Sequence, residues 1–404
     1  MLTTEENELL TRVGPGTPAG ELLRRYWHPV GMLPNLTEGT PTKHVRLLGE
    51  DLVLFRDRSG RVGLLADHCS HRGASLLYGR VEERGIACAY HGWLYDTAGH
   101  CLETPAELPD SNFYLTVKHR AYPVQEYCGL YWGYLGPLPA PTLPRYDITE
   151  DYPIKSVGEM AELTCNWLQF VEQNVDQVHA FILHQDVGSN MDKGKDDPTL
   201  NTTRGQIDQL VSLVYTEAPF GIKRRQIRVN GYDETNLIVF PSAHRIYNQL
   251  SIKVPLDDTH TRQYHIEVAP PDGPDEHSGL NGSNRDIRYV ADNGAAEGKS
   301  PPQAAHPFAR YRMDRLRFQD FMALETPGPI FDRRGEHLST SDAGVALLRT
   351  MLKREIEKVQ QGLDPLGVIR DPNQEPIDTC MQSYAEVIRQ FPRTGRALSR
   401  GGAG

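Results

Sequence analysis

The sequence predicts an α+β chain in two parts: a small N-terminal all-β domain, then a larger domain in which helices cover an antiparallel sheet. Three observations carry this. Short β-type runs separated by turns fill residues 42 to 135. The Pro-rich stretch GPLPAPTLP at 136–144 then interrupts them. Beyond it, strand-like runs recur between segments of helical spacing.

Taken in order, residues 1–26 form an N-terminal helical segment expected to pack on the second domain. ELLRRYWHPVG at 21–31 reads as a helix closed by Pro29 and Gly31. The β domain occupies 27–140, with runs HVRLLG, DLVLFRD and VGLLAD, a turn at RSGR (58–61), and a late run GLYWGYLG at 129–136. The second domain, 141–404, opens with helical spacing over 162–183, where Leu163, Trp167, Phe170 and Val171 share a side. LVSLVYTEA, RRQIRVNGY, NLIVFPS, HRIYNQLSIKVPL and QYHIEVAPP supply the sheet. Residues 270–305, rich in Gly, Pro, Asn and Asp, read as a mobile loop over a site or an insertion. Helices at 306–326 and 341–361 complete the domain, and RALSRGGAG frays.

A formal net charge of −10 argues against a general nucleic-acid binder. No stretch approaches the roughly 18 apolar residues of a membrane span, and MLTTEENELL lacks a basic region followed by an apolar run, so a cytoplasmic chain is expected. Six cysteines in a chain of this size are not a disulfide framework. Cys101, Cys128, Cys165 and Cys380 read as ordinary thiols, whereas Cys69 and Cys88 fall in a metal-ligand pattern.

That pattern is Cys69-Ser-His71, then Cys88-Ala-Tyr-His91. Each corner pairs one thiolate with one imidazole. Two thiolates can hold one iron of a [2Fe–2S] cluster and two imidazoles the other, which raises the reduction potential relative to an all-thiolate cluster. Gly73 and Gly92 suit loops that fold around sulfides. Zinc also takes Cys₂His₂, but zinc fingers pair cysteine with cysteine and histidine with histidine.

CSHRGASL and CAYHGW resemble the Rieske signature of the ring-hydroxylating oxygenases. Respiratory Rieske proteins add a cysteine to each loop; Ala74 and Tyr90 stand near those positions here. A non-catalytic Rieske electron carrier would be far shorter or lack a second iron site. The second motif is Asn174-x-Asp176-x-x-His179-x-x-x-x-His184. Asp176 and His179 are three apart and share a helical face. His184 does not, so the helix must end or distort near 181–184. Two histidines and one carboxylate make a facial triad that leaves open positions on Fe(II). Asp314, Asp320, Glu325, Asp332 and Asp342 are the candidate carboxylates.

RFQDFMALETPGPIFDRRGEHLSTSD, ENELLTRVGPGTPAGELLRRYWHPV and VPLDDTHT resemble the phthalate-dioxygenase-like branch, which includes lignin-acid O-demethylases. The resemblance implies that Asp320 is the third iron ligand, and that Asp176 bridges His91 of a neighbouring copy to His179. It implies one cluster and one mononuclear Fe(II) per subunit, a homotrimer or hexamer, and electrons from a separate NAD(P)H-dependent reductase or ferredoxin. It implies O₂-dependent oxidation of an aromatic acid, by O-demethylation or ring hydroxylation. Asn174 is a candidate near the iron or the substrate. A carboxylate substrate needs a fixed cation. Arg245 leads the candidates, followed by Arg225 and Lys253. Gly14-Pro-Gly16 follows no strand and is not a dinucleotide loop.

Overall fold

A computed structural model describes residues 1–184, 210–229, 231–269, 288–291, 311 and 316–381. The N-terminal part is built from three small sheets. Thr42–Leu47, Glu50–Arg56, Val62–Ala66 and Ala121–Tyr122 form one, in that order. Arg80–Glu82, Gly85–Ala87, Leu94–Tyr95 and Cys101–Glu103 form a second. Trp27–Met32, Leu130–Tyr134 and Val124–Tyr127 form a third.

The strand Glu50–Arg56 explains why this part holds together. Successive strand side chains point to opposite faces. Leu52 and Leu54 enter the large core shared with the second domain, while Val53 and Phe55 enter a smaller core that backs Cys69 and Cys88. All four are fully buried, each stabilising the fold by roughly 1.5–3 kcal/mol. Phe55 needs Gly63 opposite it, because a Cβ there would lie 2.5 Å from the ring.

Residues 27–32 are a strand, not the end of a helix running to 31. The helix stops at Leu23, after a start capped by Thr17. All six residues of Trp27–Met32 are buried against Leu130–Tyr134. Tertiary burial overrides local propensity, and Pro29, which has no N–H to donate, sits at a register irregularity.

The second domain is built on an eight-stranded sheet. Its order is Leu210–Ala218, Gly221–Arg228, Asp233–Val239, Ala243–Ile246, Gln249–Pro255, Thr261–Val268, Ile154–Glu159 and Arg288–Ala291. All pairings are antiparallel except the last, which is parallel. Arg288–Ala291 lies inside the segment 270–305 expected to be loop, so that expectation fails there; the rest of the segment lies outside the described residues. Helices Trp167–Val175, Val178–Ile182, Leu316–Glu325 and Ala343–Gln360 cover the sheet. No helix among the described residues is long and apolar enough to cross a membrane.

The helical stretch expected over 162–183 ends at Ile182, within the expected 181–184, and is also broken at residues 176–177. Asp176 ends one helix, and its Oδ1 accepts from the N–H groups of Val178 and His179 at 2.8 and 3.2 Å. A short acceptor side chain that satisfies the free N–H groups of a new helix start competes with helix continuation. The N-terminal helix Thr4–Thr11 is fixed to the same region. Asn7 donates to the Phe331 carbonyl and accepts from Arg333, whose guanidinium also pairs with Glu172 at 2.7 Å.

Candidate metal centres

The two Cys–His corners have the same backbone construction. Cys69 N–H donates to the Ala74 carbonyl and Gly73 N–H to the Cys69 carbonyl; Cys88 and Gly92 repeat this with Trp93 and Cys88. Gly73 and Gly92 have φ of 74° and 75°, where a side chain is strained. This brings the His71 and His91 rings to a 4.5 Å centroid separation. Trp93 stacks on His71 at 4.3 Å. Cys69 and Cys88 are buried. Burial pushes the Cys69 thiol up, opposed by the Tyr95 hydroxyl 3.2 Å away. His71 Nδ1 is buried without a hydrogen-bond partner, a condition that a bound metal relieves. The donor set fits a Rieske cluster.

The second constellation is assembled from three places in the sequence. His179 belongs to Val178–Ile182, His184 follows that helix, and Asp320 comes from Leu316–Glu325. Each offers one ligand atom, and the three lie within 4.8 Å of one another. His184 Nε2 is 3.2 Å and His179 Nε2 3.9 Å from Asp320 Oδ1. Two imidazoles and a carboxylate fit a mononuclear Fe(II).

Neighbouring side chains orient this set. Gln319 Oε1 lies 2.7 Å from His184 Nδ1, which keeps the proton on Nδ1 and turns Nε2 toward Asp320. Gln173 Nε2 donates to Asp320 Oδ1 at 2.9 Å. Burial opposes charge on His184, but Asp320 outweighs it and raises the pKa. Asp176 Oδ2 stands 3.4 Å from His179 Nδ1. Burial works against the Asp176 carboxylate, yet His179 and the two N–H groups hold its pKa below the ordinary value. Asn174 is buried on the helix leading to this group, with Nδ2 unpartnered among the described residues.

The other candidate carboxylates are engaged elsewhere. Glu325 accepts from Thr164 N–H and Tyr311, Asp332 pairs with Arg334, and Asp342 accepts from Ser339. Asp314 lies outside the described residues.

The carboxylate-gripping role expected of Arg245 is corrected by strand register. Arg245 is buried on the sheet face away from the triad, donating to Asp147, Thr379 and the Tyr247 carbonyl. Its neighbour in sequence, His244, takes the opposite face and is close enough to His179 to feel its charge. Arg225 is exposed and paired with Asp233. Lys253 is buried, its amine 5.1 Å from the centre of the Phe170 ring. Burial pulls its pKa down to about 7, against the pull of Asp320. Sequence reasoning missed Gln173, Gln319, His244 and Arg224. The available trace was the alternation in KRRQIR, where Arg224 and Gln226 turn inward while Lys223 and Arg225 face solvent.

A model of the Rieske [2Fe-2S] domain matches residues 26–126. The 5,5'-dehydrodivanillate O-demethylase oxygenase subunit of Sphingobium sp. is 35% identical over 387 residues, covering 92% of this chain and 84% of that protein. The phthalate 4,5-dioxygenase oxygenase subunit of Pseudomonas putida is 33% identical over 420 residues, covering 96% and 93%. The solved structure of Pseudomonas putida CBB5 NdmB has the same fold, with a TM-score of 0.59 at 19% identity, covering 87% of this chain and 95% of that one.

Proposed function

Since this chain belongs to the Rieske non-haem iron oxygenases, as an oxygenase subunit of the phthalate-dioxygenase-like branch, we propose that it oxidises an aromatic carboxylic acid with O₂ at His179, His184 and Asp320. The reaction is O-demethylation of a methoxylated, lignin-derived acid or hydroxylation of the ring; relatives named for each lie at similar identity. The observation that carries the reading is the convergence of two imidazoles and one carboxylate within 4.8 Å, in a chain that also presents two Cys–His corners.

In this proposal Cys69, His71, Cys88 and His91 hold a [2Fe–2S] cluster, and the triad holds Fe(II). When bound, the cluster supplies single electrons and the iron an open position for O₂. The chain's own residues then have separable tasks. Gln319 and Gln173 hold His184 and Asp320 in orientation. Asp176 fixes the start of the His179 helix and turns a carboxylate oxygen toward His179 Nδ1. Its partner on the other side is His91 of a neighbouring copy, in a homotrimer or a hexamer built from two trimers. The domain limits 27–140 and 141–404 put the cluster ligands in one domain and the triad in the other. A separate reductase or ferredoxin feeds the assembly, in the cytoplasm.

The test supplies the iron-loaded protein with a surrogate reductase, O₂ and a panel of phthalates and methoxylated mono- and biaryl acids, read by mass spectrometry. Loss of a methyl carbon with matching formaldehyde identifies demethylation; gain of one or two oxygens identifies hydroxylation. His179→Ala should abolish both while the visible spectrum of the cluster persists. Unchanged turnover in that variant would remove the triad from the reaction.

A further inference from the structure

The sheet face that meets the triad carries two buried cations without a direct anionic partner among the described residues. Arg224 is 6% exposed and Lys253 2%. Among the described residues, neither charged group makes an ion pair or a hydrogen bond. Burying a cation is costly unless an anion or a set of acceptors meets it. The nearest carboxylates are already engaged. Glu234 accepts from Tyr232 at 2.5 Å and from Gln226 at 2.6 Å, and Asp320 accepts from Gln173 and faces His184.

The two cations are separated in a defined way. Pairing puts Arg224 opposite Asn236, and Ile238 opposite His244, which in turn faces Ser251 on the strand of Lys253. Asn236 and His244 therefore stand on the two strands between the cations. Three strand spacings across the sheet, about 14 Å, and a four-residue offset along it, about 13 Å, put the backbones of Arg224 and Lys253 roughly 19 Å apart, a gap their long side chains narrow. His244 lies within electrostatic reach of Arg224, Lys253 and His179. It bonds to Asn236 at 3.2 Å, yet His244 Nδ1 and Asn236 Oδ1 remain buried without partners. Lys253 is the end nearer the triad, because Asp320 acts on it and Phe170 lies against it. A single carboxylate held at either end leaves the other cation unanswered. Two carboxylates on neighbouring carbons of one ring would crowd a single cation.

We propose that this face binds an aromatic diacid whose carboxylates stand on separate rings, with Lys253 gripping the one on the reacting ring and Arg224 the one on the distal ring. His244 and Asn236 lie under the bond between the rings and offer it polar contacts. This rests on the oxygenase reading above and narrows its substrate to an elongated dianion. Binding selects for length and charge together, since both cations form charge-assisted contacts only when both ends are occupied.

The experiment is anaerobic equilibrium binding by calorimetry to the cluster- and iron-loaded protein. The probes are biphenyl with one meta carboxylate on each ring, biphenyl with a single meta carboxylate, and phthalate. The two-ring diacid should bind roughly 10- to 100-fold tighter than either comparison. Arg224→Met and Lys253→Met should each bring it to within a few-fold of the monoacid. Because neither cation has an ion-pair or hydrogen-bond partner among the described residues, both ligand-free variants should unfold at the same or higher denaturant concentration, with the cluster spectrum intact. Equal affinity for all three probes, or variants that bind the diacid normally, would overturn the proposal. So would a loss of stability in both ligand-free variants, which would mark the cations as structural. Tight diacid binding without O₂-dependent product would defeat the oxygenase reading and leave this site standing. Turnover of monoacids unaffected by either substitution would do the reverse.

Discussion

Replacing Gln319 with leucine isolates how much the protein contributes to holding a metal at the triad. Gln319 is 3% exposed, and its Oε1 meets His184 Nδ1 at 2.7 Å. Leucine has nearly the same volume but no acceptor, so the His184 Nδ1–H loses its partner. An unsatisfied buried donor costs about 1–3 kcal/mol. Loss of an orienting partner behind a metal-bound histidine typically weakens metal affinity 10- to 100-fold, or about 1.4–2.7 kcal/mol. The two ranges agree, so a weakening near the middle is expected. The assay is anaerobic titration of cluster-loaded, iron-free protein with Fe(II) against a competing chelator, alongside urea unfolding. Gln319→Glu, which keeps an acceptor and adds a charge, should bind at least as tightly as the parent. If Gln319→Leu binds Fe(II) within about twofold of the parent with the fold intact, His184 is not oriented through Nδ1.

Further outcomes follow from the same structure. Arg333 is fully buried and Glu172 accepts from both it and Arg349; Arg333→Met should therefore destabilise by about 3–5 kcal/mol in chemical unfolding, and a loss below about 1 kcal/mol would show that the network is not coupled to the fold. His28 is wholly buried with Nε2 bonded to the Leu23 carbonyl, and burial holds its pKa down to about 4. Both folded and unfolded forms are neutral above about pH 6.5, whereas below it only the unfolded chain takes the proton; stability should fall by about 3 kcal/mol between pH 6.5 and 4, and His28→Gln should flatten that slope in pH-dependent unfolding. Asp176→Asn keeps an acceptor for the Val178 and His179 N–H groups, so folding and both metal contents should persist while steady-state oxygen consumption drops at least about tenfold; normal turnover would remove the carboxylate from the working path.

Local chemistry decided what could be read from the chain directly. The Cys–His corners were legible because ligand identity and loop glycines lie within a few consecutive residues, where spacing alone limits geometry. Asp176 and His179 were legible for the same reason, and the carboxylate at 320 became so through resemblance over a longer block. The helix end near His184 was anticipated, but the earlier break at 176–177 was not, because nothing in an apolar repeat announces that Asp176 will satisfy the next helix's free N–H groups. Trp27–Met32 was misread as helix because its strand state depends on burial against Leu130–Tyr134, about a hundred residues away.

The sequence by itself determined which donor atoms the two candidate metal centres offer, since those residues and their immediate loops are local properties. Only the tertiary structure decided which charges face the triad. A strand presents alternate residues to opposite faces, so a one-residue difference in register exchanges Arg245 for His244. That register is set by pairing across eight strands. It turns Arg245 to Asp147 on the far face and leaves Arg224 and Lys253 unpaired on the near one.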